Sequence, residues 1–348
     1  MKNKSNKSNK SHPNKRYKIT IFILSMIAII SLAATIFIYT NHNKKGIIVA
    51  SSMVTSYTSE ELSSLIDSSI TNANEEMLVD MKSKLSSGTS ALSLIRDFYP
   101  KNVVYYDTDK YIFASILDSV PKNTLIAKNF SVDATNEITY SENGAVISHK
   151  GIDVSKYQGD IDWTKVKNSN VEYAFLRTGY RSYGAGLITP DTSFKQNIQG
   201  ASNAGIGIGV YFYSQAINTT EATEEAQYVL DQIKGYNVNY PIVLDVEEIL
   251  NDTFRQQNLT TEELTTICIT FCEKIKAAGY TPMIYSNLKY YVAKLNLEKL
   301  TSYEKWYASY DTSLYFPYDI SMWQYSQSGT VDGITGNVDL NISFKKWK

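Results

Sequence analysis

Histidine is nearly missing from this chain of 348 residues: the three present are His12, His42 and His149, so none lies between residues 150 and 348. A Ser-His or Cys-His nucleophile, and most catalytic zinc sites, would need one in that stretch. Cysteine is equally scarce. The two residues, Cys268 and Cys272, sit four apart in LTTICITFCEKI, which has helical periodicity. Helix neighbours at that spacing do not bridge without distortion, and no histidine is near enough to complete a metal site, so buried free thiols are expected. There is also no basic block interleaved with aromatics outside the extreme N-terminus, so nothing points to nucleic acid. Any chemistry in the C-terminal part must therefore run on carboxylates, tyrosines or lysines, with neither a metal nor a cofactor called for. What the chain does have is tyrosine, 27 in all, within an ordinary globular balance of 43% apolar and 20% charged residues. A tyrosine ring joins a flat apolar face to a hydroxyl, which suits sugars, although packing accounts for most of them.

The chain divides into five stretches. Residues 1–18 are polar and carry seven Lys or Arg. Residues 19–39 run 21 positions without a charge, enough at about 1.5 Å per residue to cross the roughly 30 Å hydrocarbon core. This run exceeds the usual apolar stretch of a cleaved leader. The positive flank places the N-terminus inside and everything after residue 40 outside the cytoplasmic membrane, as a single-pass anchored protein. Residues 40–100 form a helical spacer: apolar or small side chains recur in steps of three and four from Leu62 to Ile95, with a break near Ser86-Ser87-Gly88. Imperfect heptads favour local packing over a coiled coil. Residues 101–149 read as a small β-rich module (VVYYD, YIFASIL, TLIAKNF), with ENG at 142–144 as a turn.

From residue 150 to 348 the pattern becomes apolar strands alternating with amphipathic helices. The strands read GIDVS, YAFLRTGY, IGIGVYFYS, YPIVLDVE, TPMIYSN, KWYASYD, ISMWQYS and NVDLNIS. Eight strands with helical crossovers predict an α/β fold, a parallel (β/α) TIM-like barrel, irregular at its end where little room remains for helices. Side chains alternate along a strand, so in PIVLDVEE Asp245 and Glu247 share one face with Val243, while Ile242 and Leu244 face the outer helices. At a barrel's C-terminal rim, two such carboxylates repel, which keeps one protonated beside an anion. Glycoside hydrolysis uses that pairing. The plain alternative is two acids in a solvated loop. Asp153 and Asp339, on the first and last strands, would reach the same mouth if the barrel closes, although an Asp at a strand end is often a turn former.

These residues resemble a known family. GIDVSKYQGDIDW, AFLRTGYR, GVYFYSQA, PIVLDVEE, AGYTPMIYSN, WQYS and VDLN, in this order over residues 150–348, are similar to the glycoside hydrolase family 25 lysozymes. The resemblance does not extend to residues 1–149. It implies an irregular (β/α) barrel and an N-acetylmuramidase that cuts the β-1,4 bond after N-acetylmuramic acid in peptidoglycan. Under it Glu247 is the general acid, and Asp245 assists, through the substrate N-acetyl group or by direct stabilisation of the transition state. Asp153 and Asp339 shape the charge around the reacting sugar, Tyr213 and Tyr211 contact it, and Tyr285 and Trp323 are candidate sugar platforms. Many members carry a histidine in the strand matching GVYFYS, where this chain has Phe212.

Two other readings stay open: another barrel glycosidase (an N-acetylglucosaminidase or chitinase), or a catalytically silent wall-binding protein. Arg177 and Arg181 are candidates for substrate carboxylates, against the commoner structural ion pair. Residues 150–348 hold 18 Lys or Arg against 22 Asp or Glu, a net of −4, so no basic patch grips an anionic wall. GIGIG at 205–209 precedes a strand, not a helix, and is no phosphate loop. An anchored wall hydrolase suits growth, division, sporulation or the passage of secretion or conjugation machinery. If residues 58–149 only space the barrel from the membrane, their deletion should spare activity on soluble wall fragments.

Overall fold

The structure, a computed structural model, describes residues 58–249 and 253–347. The basic tail (1–18), the apolar run (19–39) and the first part of the spacer lie outside the described residues. Among those described, no helix is long and apolar enough to cross a membrane. Helix α1 (Ser59–Ser86) buries none of its side chains, unlike the local packing its spacing suggests. It stops where Gly88 adopts a left-handed φ of 96° and Thr89 N–H returns to the Lys84 carbonyl, a glycine stop at the position the sequence marks. Helix α2 (Ala91–Phe98) then starts on Ser90, whose side chain accepts from Ser93 N–H.

Residues 78–348 form one compact unit. Its N-terminal part holds the hairpin β1 (Asn102–Asp107) and β2 (Lys110–Ser115), and the small sheet β3 (Phe130–Val132), β4 (Ile138–Glu142) and β5 (Ala145–Val146). TLIAKNF does not form the strand expected of it; a single 3-10 turn at Ala127–Asn129 precedes the short β3. ENG does turn the chain: Asn143 and Gly144 both take positive φ, 51° and 81°, between β4 and β5, the geometry tight hairpins require.

Eight strands close the barrel: β6 (His149–Val154), β7 (Tyr173–Arg181), β9 (Gly207–Tyr213), β10 (Ile242–Asp245), β11 (Pro282–Asn287), β12 (Glu304–Ala308), β13 (Met322–Gly329) and β14 (Val338–Ser343), with β8 (Ile188–Pro190) a short hairpin partner outside β7. The first seven run parallel, but β14 is antiparallel to both β13 and β6. This corrects the all-parallel expectation. Residues 330–337 are too few for a crossover, which takes about a dozen, so the chain returns as a hairpin. Helices α3 (Trp163–Asn168), α4 (Phe194–Asn203), α5 (Thr219–Gln232) and α6 (Thr261–Ala277) follow the earlier strands, and none follows β12 or β13. Cys268 and Cys272 are buried free thiols on α6.

Alternation sorts the side chains into two layers. Tyr173, Phe175, Val243, Met283, Trp306 and Met322 fill the barrel interior, while Ile242, Leu244, Phe212 and Trp323 belong to the outer core. The interior is crowded with rings, and glycine makes room for them. A Cβ on Gly151 would lie 2.1 Å from the Tyr173 ring, and one on Gly209 2.2 Å from that of Phe175.

The β-rich segment is welded to the barrel. Tyr315 Oη accepts from Val104 N–H at 2.9 Å, the Arg96 guanidinium lies 3.5 Å from the centre of the Tyr315 ring, and Asn123 N–H and Asp319 N–H bond across to Pro317 and Pro121 carbonyls. Phe130 meets Trp323 and Phe344 edge to face, at 5.7 and 6.0 Å. Each such aromatic pair contributes roughly 0.5–1.5 kcal/mol beyond its buried area. Residues 96–130 therefore pack on the barrel through both hydrogen bonds and rings.

Candidate active site

The C-terminal rim of the barrel opens into a cavity of about 580 Å³. Asp153, Asp245, Glu247 and Asp339 all line it, as do Tyr211, Tyr213 and Tyr285. Asp245 is the last residue of β10, beside Tyr213 on β9 in register, with Val243 beside Tyr211 one step deeper. The strand ends there, two residues earlier than YPIVLDVE suggests. Val246 N–H still reaches the Tyr285 carbonyl and its own carbonyl accepts from Ser286 Oγ. The extended path thus persists far enough to put Glu247 on the cavity side. Glu248 points elsewhere and binds Lys289 Nζ at 2.9 Å.

Asp339 reaches the rim because β14 runs backwards: near the start of an antiparallel strand, it lies directly opposite Asp153 in register. Asp153 is buried, and its Oδ2 accepts from the side-chain amides of Gln324 (2.8 Å) and Asn341 (2.7 Å). Each amide is held in turn. Gln324 Oε1 accepts from the hydroxyls of Tyr285 (2.7 Å) and Tyr310 (3.0 Å), and Asn341 Oδ1 accepts from the Trp306 indole (2.9 Å). These bonds fix which end of each amide faces Asp153.

The electrostatics follow from crowding acids where burial disfavours their charged forms. Burial, then the charge of Asp153, pushes Glu247 up to about 7. Burial pushes Asp339 up to about 9, helped by the charge of Asp153 and a hydrogen bond with it. Asp153 is raised by burial too, but the Asn341 and Gln324 amides and Asp339 all pull the other way. We place the proton of this pair on Asp339. Asp245 is raised by burial first and by Glu247 second, and its Oδ1 has no hydrogen-bond partner.

Other candidates fall differently. Trp323 is fully buried on the outer face of β13, its indole donating to the Ser309 carbonyl and its ring against Phe130, so it does not line the cavity. Strand parity is the reason: Met322 and Gln324 face inward, so Trp323 between them faces out. Trp306 on β12 holds the inward position instead. Phe212 likewise packs outward, on Tyr228. Arg181 is buried against Glu225 (2.7 Å) and is structural. Arg177 lines the cavity; its Nε donates to Asp191 at 2.8 Å, its Nη2 is buried without a partner, and the Tyr157 and Tyr180 rings lie beside it. Gln324, Asn341, Trp306 and Tyr310 were not singled out from the sequence, although WQYS and VDLN contain the first two. Among the described residues, no group of acids, histidines and cysteines is arranged to hold a metal ion.

An eight-stranded barrel with four acids at one mouth is an arrangement that glycoside hydrolysis can use. The model of glycosyl hydrolases family 25 matches residues 152–334, and the chain belongs to that family. An autolytic lysozyme of Clostridium acetobutylicum is 31% identical over 195 residues, 55% of this chain and 55% of its own length. The uncharacterised protein YegX of Escherichia coli is 30% identical over 202 residues, 55% of this chain and 68% of its own. Among solved structures, the modular autolysin LytC of Streptococcus pneumoniae, in complex with a synthetic peptidoglycan ligand, has a TM-score of 0.51 at 27% identity. That likeness covers 63% of this chain and 52% of LytC. The chain thus spans about half the length of the autolytic lysozyme and of LytC.

Proposed function

We propose that this protein is a peptidoglycan muramidase, cutting the β-1,4 bond between N-acetylmuramic acid and N-acetylglucosamine with Glu247 as general acid. The observation that carries the reading is Glu247 itself, a cavity carboxyl pushed up to about 7 and therefore able to deliver a proton near neutral pH. The lysozyme relatives and the peptidoglycan-bound LytC support the substrate class.

Asp245 is the assisting carboxyl in this reading. Its Oδ1 is buried and has no hydrogen-bond partner within the protein. A substrate N-acetyl N–H docking there supplies one, lowers the Asp245 pKa and leaves an anion beside the protonated Glu247. The anion then orients the acetamido oxygen toward the anomeric carbon, a substrate-assisted route. Arg177 favours a muramidase over a chitinase. It is the one cationic side chain among the described cavity residues, and its charge suits the lactyl group that distinguishes muramic acid from glucosamine. The apolar run at 19–39 supports a tether that holds the enzyme outside the cytoplasmic membrane, against the wall.

Reducing ends of digested wall, reduced with borohydride, test the assignment. Muramitol is expected. Glucosaminitol would transfer the protein to the N-acetylglucosaminidases, and wall binding without new reducing ends would make it a silent binder.

A further inference from the structure

A second cleft, of about 250 Å³, lies between the β1–β2 hairpin and the barrel rim. One wall carries Tyr106 and Arg96, the other Asn287, Lys289, Ser309 and Asp311. We propose that this cleft is an outer subsite for the same glycan strand that fills the catalytic cavity. The proposal rests on the muramidase reading and adds a place where a sugar beyond the reacting ones is held.

The cleft is continuous with the catalytic cavity. Ser309 and Asp311 line the cleft, while Tyr310 between them lines the catalytic cavity with its hydroxyl on Gln324. A three-residue segment is thus the wall shared by both. A second edge repeats this: Glu247 faces the cavity, and the next residue, Glu248, binds Lys289 of the cleft. A polymer leaving the cavity over either edge enters the cleft.

The chemistry of the walls fits a sugar ring. Tyr106 is 55% exposed and stands edge-on to Tyr111, with ring centres 5.2 Å apart, offering an apolar face for ring C–H groups. Asn287, whose Oδ1 accepts from Tyr290 N–H, and Asp311 line the same cleft and add polar groups for hydroxyls. The volume is slightly below the range for drug-sized ligands, which suits one ring, not two. The hairpin is also held in place: Lys289 Nζ bonds Asp107 Oδ1 and Glu248 Oε2, both at 2.9 Å, and Arg96 Nε bonds the Val104 carbonyl. A wall fixed in this way can bind without first being ordered.

The test uses the full chain and glycan oligomers of increasing length. For the parent protein KM should fall in a step at the length that first reaches the cleft, with kcat unchanged. Tyr106→Ala should lose the step, leaving KM on long strands about tenfold higher, while Tyr106→Trp keeps it. Oligomers too short for the step should be turned over equally by all three. No step in the parent, or a step that survives in Tyr106→Ala, overturns the subsite while leaving the muramidase reading intact. Failure of the parent to cleave any oligomer overturns both.

Discussion

Asp153 and Asp339 face each other across the antiparallel β6–β14 pair, a buried acid directly opposite a half-buried one and joined to it by a hydrogen bond. Two like charges so placed destabilise a sheet, and the pair avoids that by holding a proton on Asp339 while amides saturate Asp153. Asp339→Asn keeps a donor toward Asp153 and is expected to lose less than about tenfold in kcat/KM. Asp153→Asn removes the anion and, with its carbonyl accepting from the Gln324 and Asn341 amides, turns its NH2 toward the proton on Asp339, and a loss of about 100-fold is expected. Steady-state rates on purified wall compare them; equal losses would show that the proton is not on Asp339.

In the proposed mechanism Glu247 acts in its protonated form. Activity should therefore fall tenfold per pH unit above about 7. Glu247→Gln should lose roughly 10²–10⁴-fold in rate with its circular dichroism unchanged. Full activity in that variant would remove Glu247 from the mechanism.

Glu247 and Asp339 contribute to how stability depends on pH, in the same direction as the raised Glu225, Asp245 and Asp153. The folded protein keeps protons on Glu247 to about 7 and on Asp339 to about 9, which the unfolded chain releases near its ordinary ~4 to 4.5. Their stabilising contribution is whole below that ordinary range and is lost as pH rises through the folded values. The melting temperature should therefore decline from about pH 5 to pH 9. At pH 8 Glu247→Gln should melt higher than the parent, the usual trade of stability for a charged site. A variant that melts lower at pH 8 and matches the parent at pH 5 would reverse the sign.

Arg177→Gln should raise KM about tenfold for glycan strands bearing a free lactyl carboxylate, and change chitin-oligomer binding less than about twofold. Equal losses on both would make Arg177 a support for Asp191, not a recognition residue.

Trp323→Ala should destabilise the protein by about 3–5 kcal/mol in urea unfolding, with KM unchanged in the fraction that stays folded. Trp306 lines the cavity, so Trp306→Phe should act on KM instead. Deletion of residues 58–149 should act like a severe form of Trp323→Ala, exposing the face that Phe130 covers. A deleted chain that melts with the parent would restore the independent spacer.

Much of this was readable before folding. The eight barrel strands stand where the apolar runs are, because a buried parallel strand must be nearly continuously apolar. Asp245 and Glu247 fall on one face by alternation alone. Trp323 went astray for the same kind of reason: a quoted motif carries no parity, and the inward position belongs to Gln324 next to it. The amide relay onto Asp153 was not readable, since its members come from β11, β12, the segment after β12, β13 and β14.

The sequence by itself determined the acid pair, the absence of histidine from the barrel and the apolar periodicities that make the strands. Only the tertiary structure decided the direction of β14, which brings Asp339 opposite Asp153. It alone seated the hairpin beside the rim and put Trp306 where Trp323 was expected. Those outcomes depend on which strand pairs with which, and pairing is fixed by contacts between residues far apart in the chain, which local pattern does not encode.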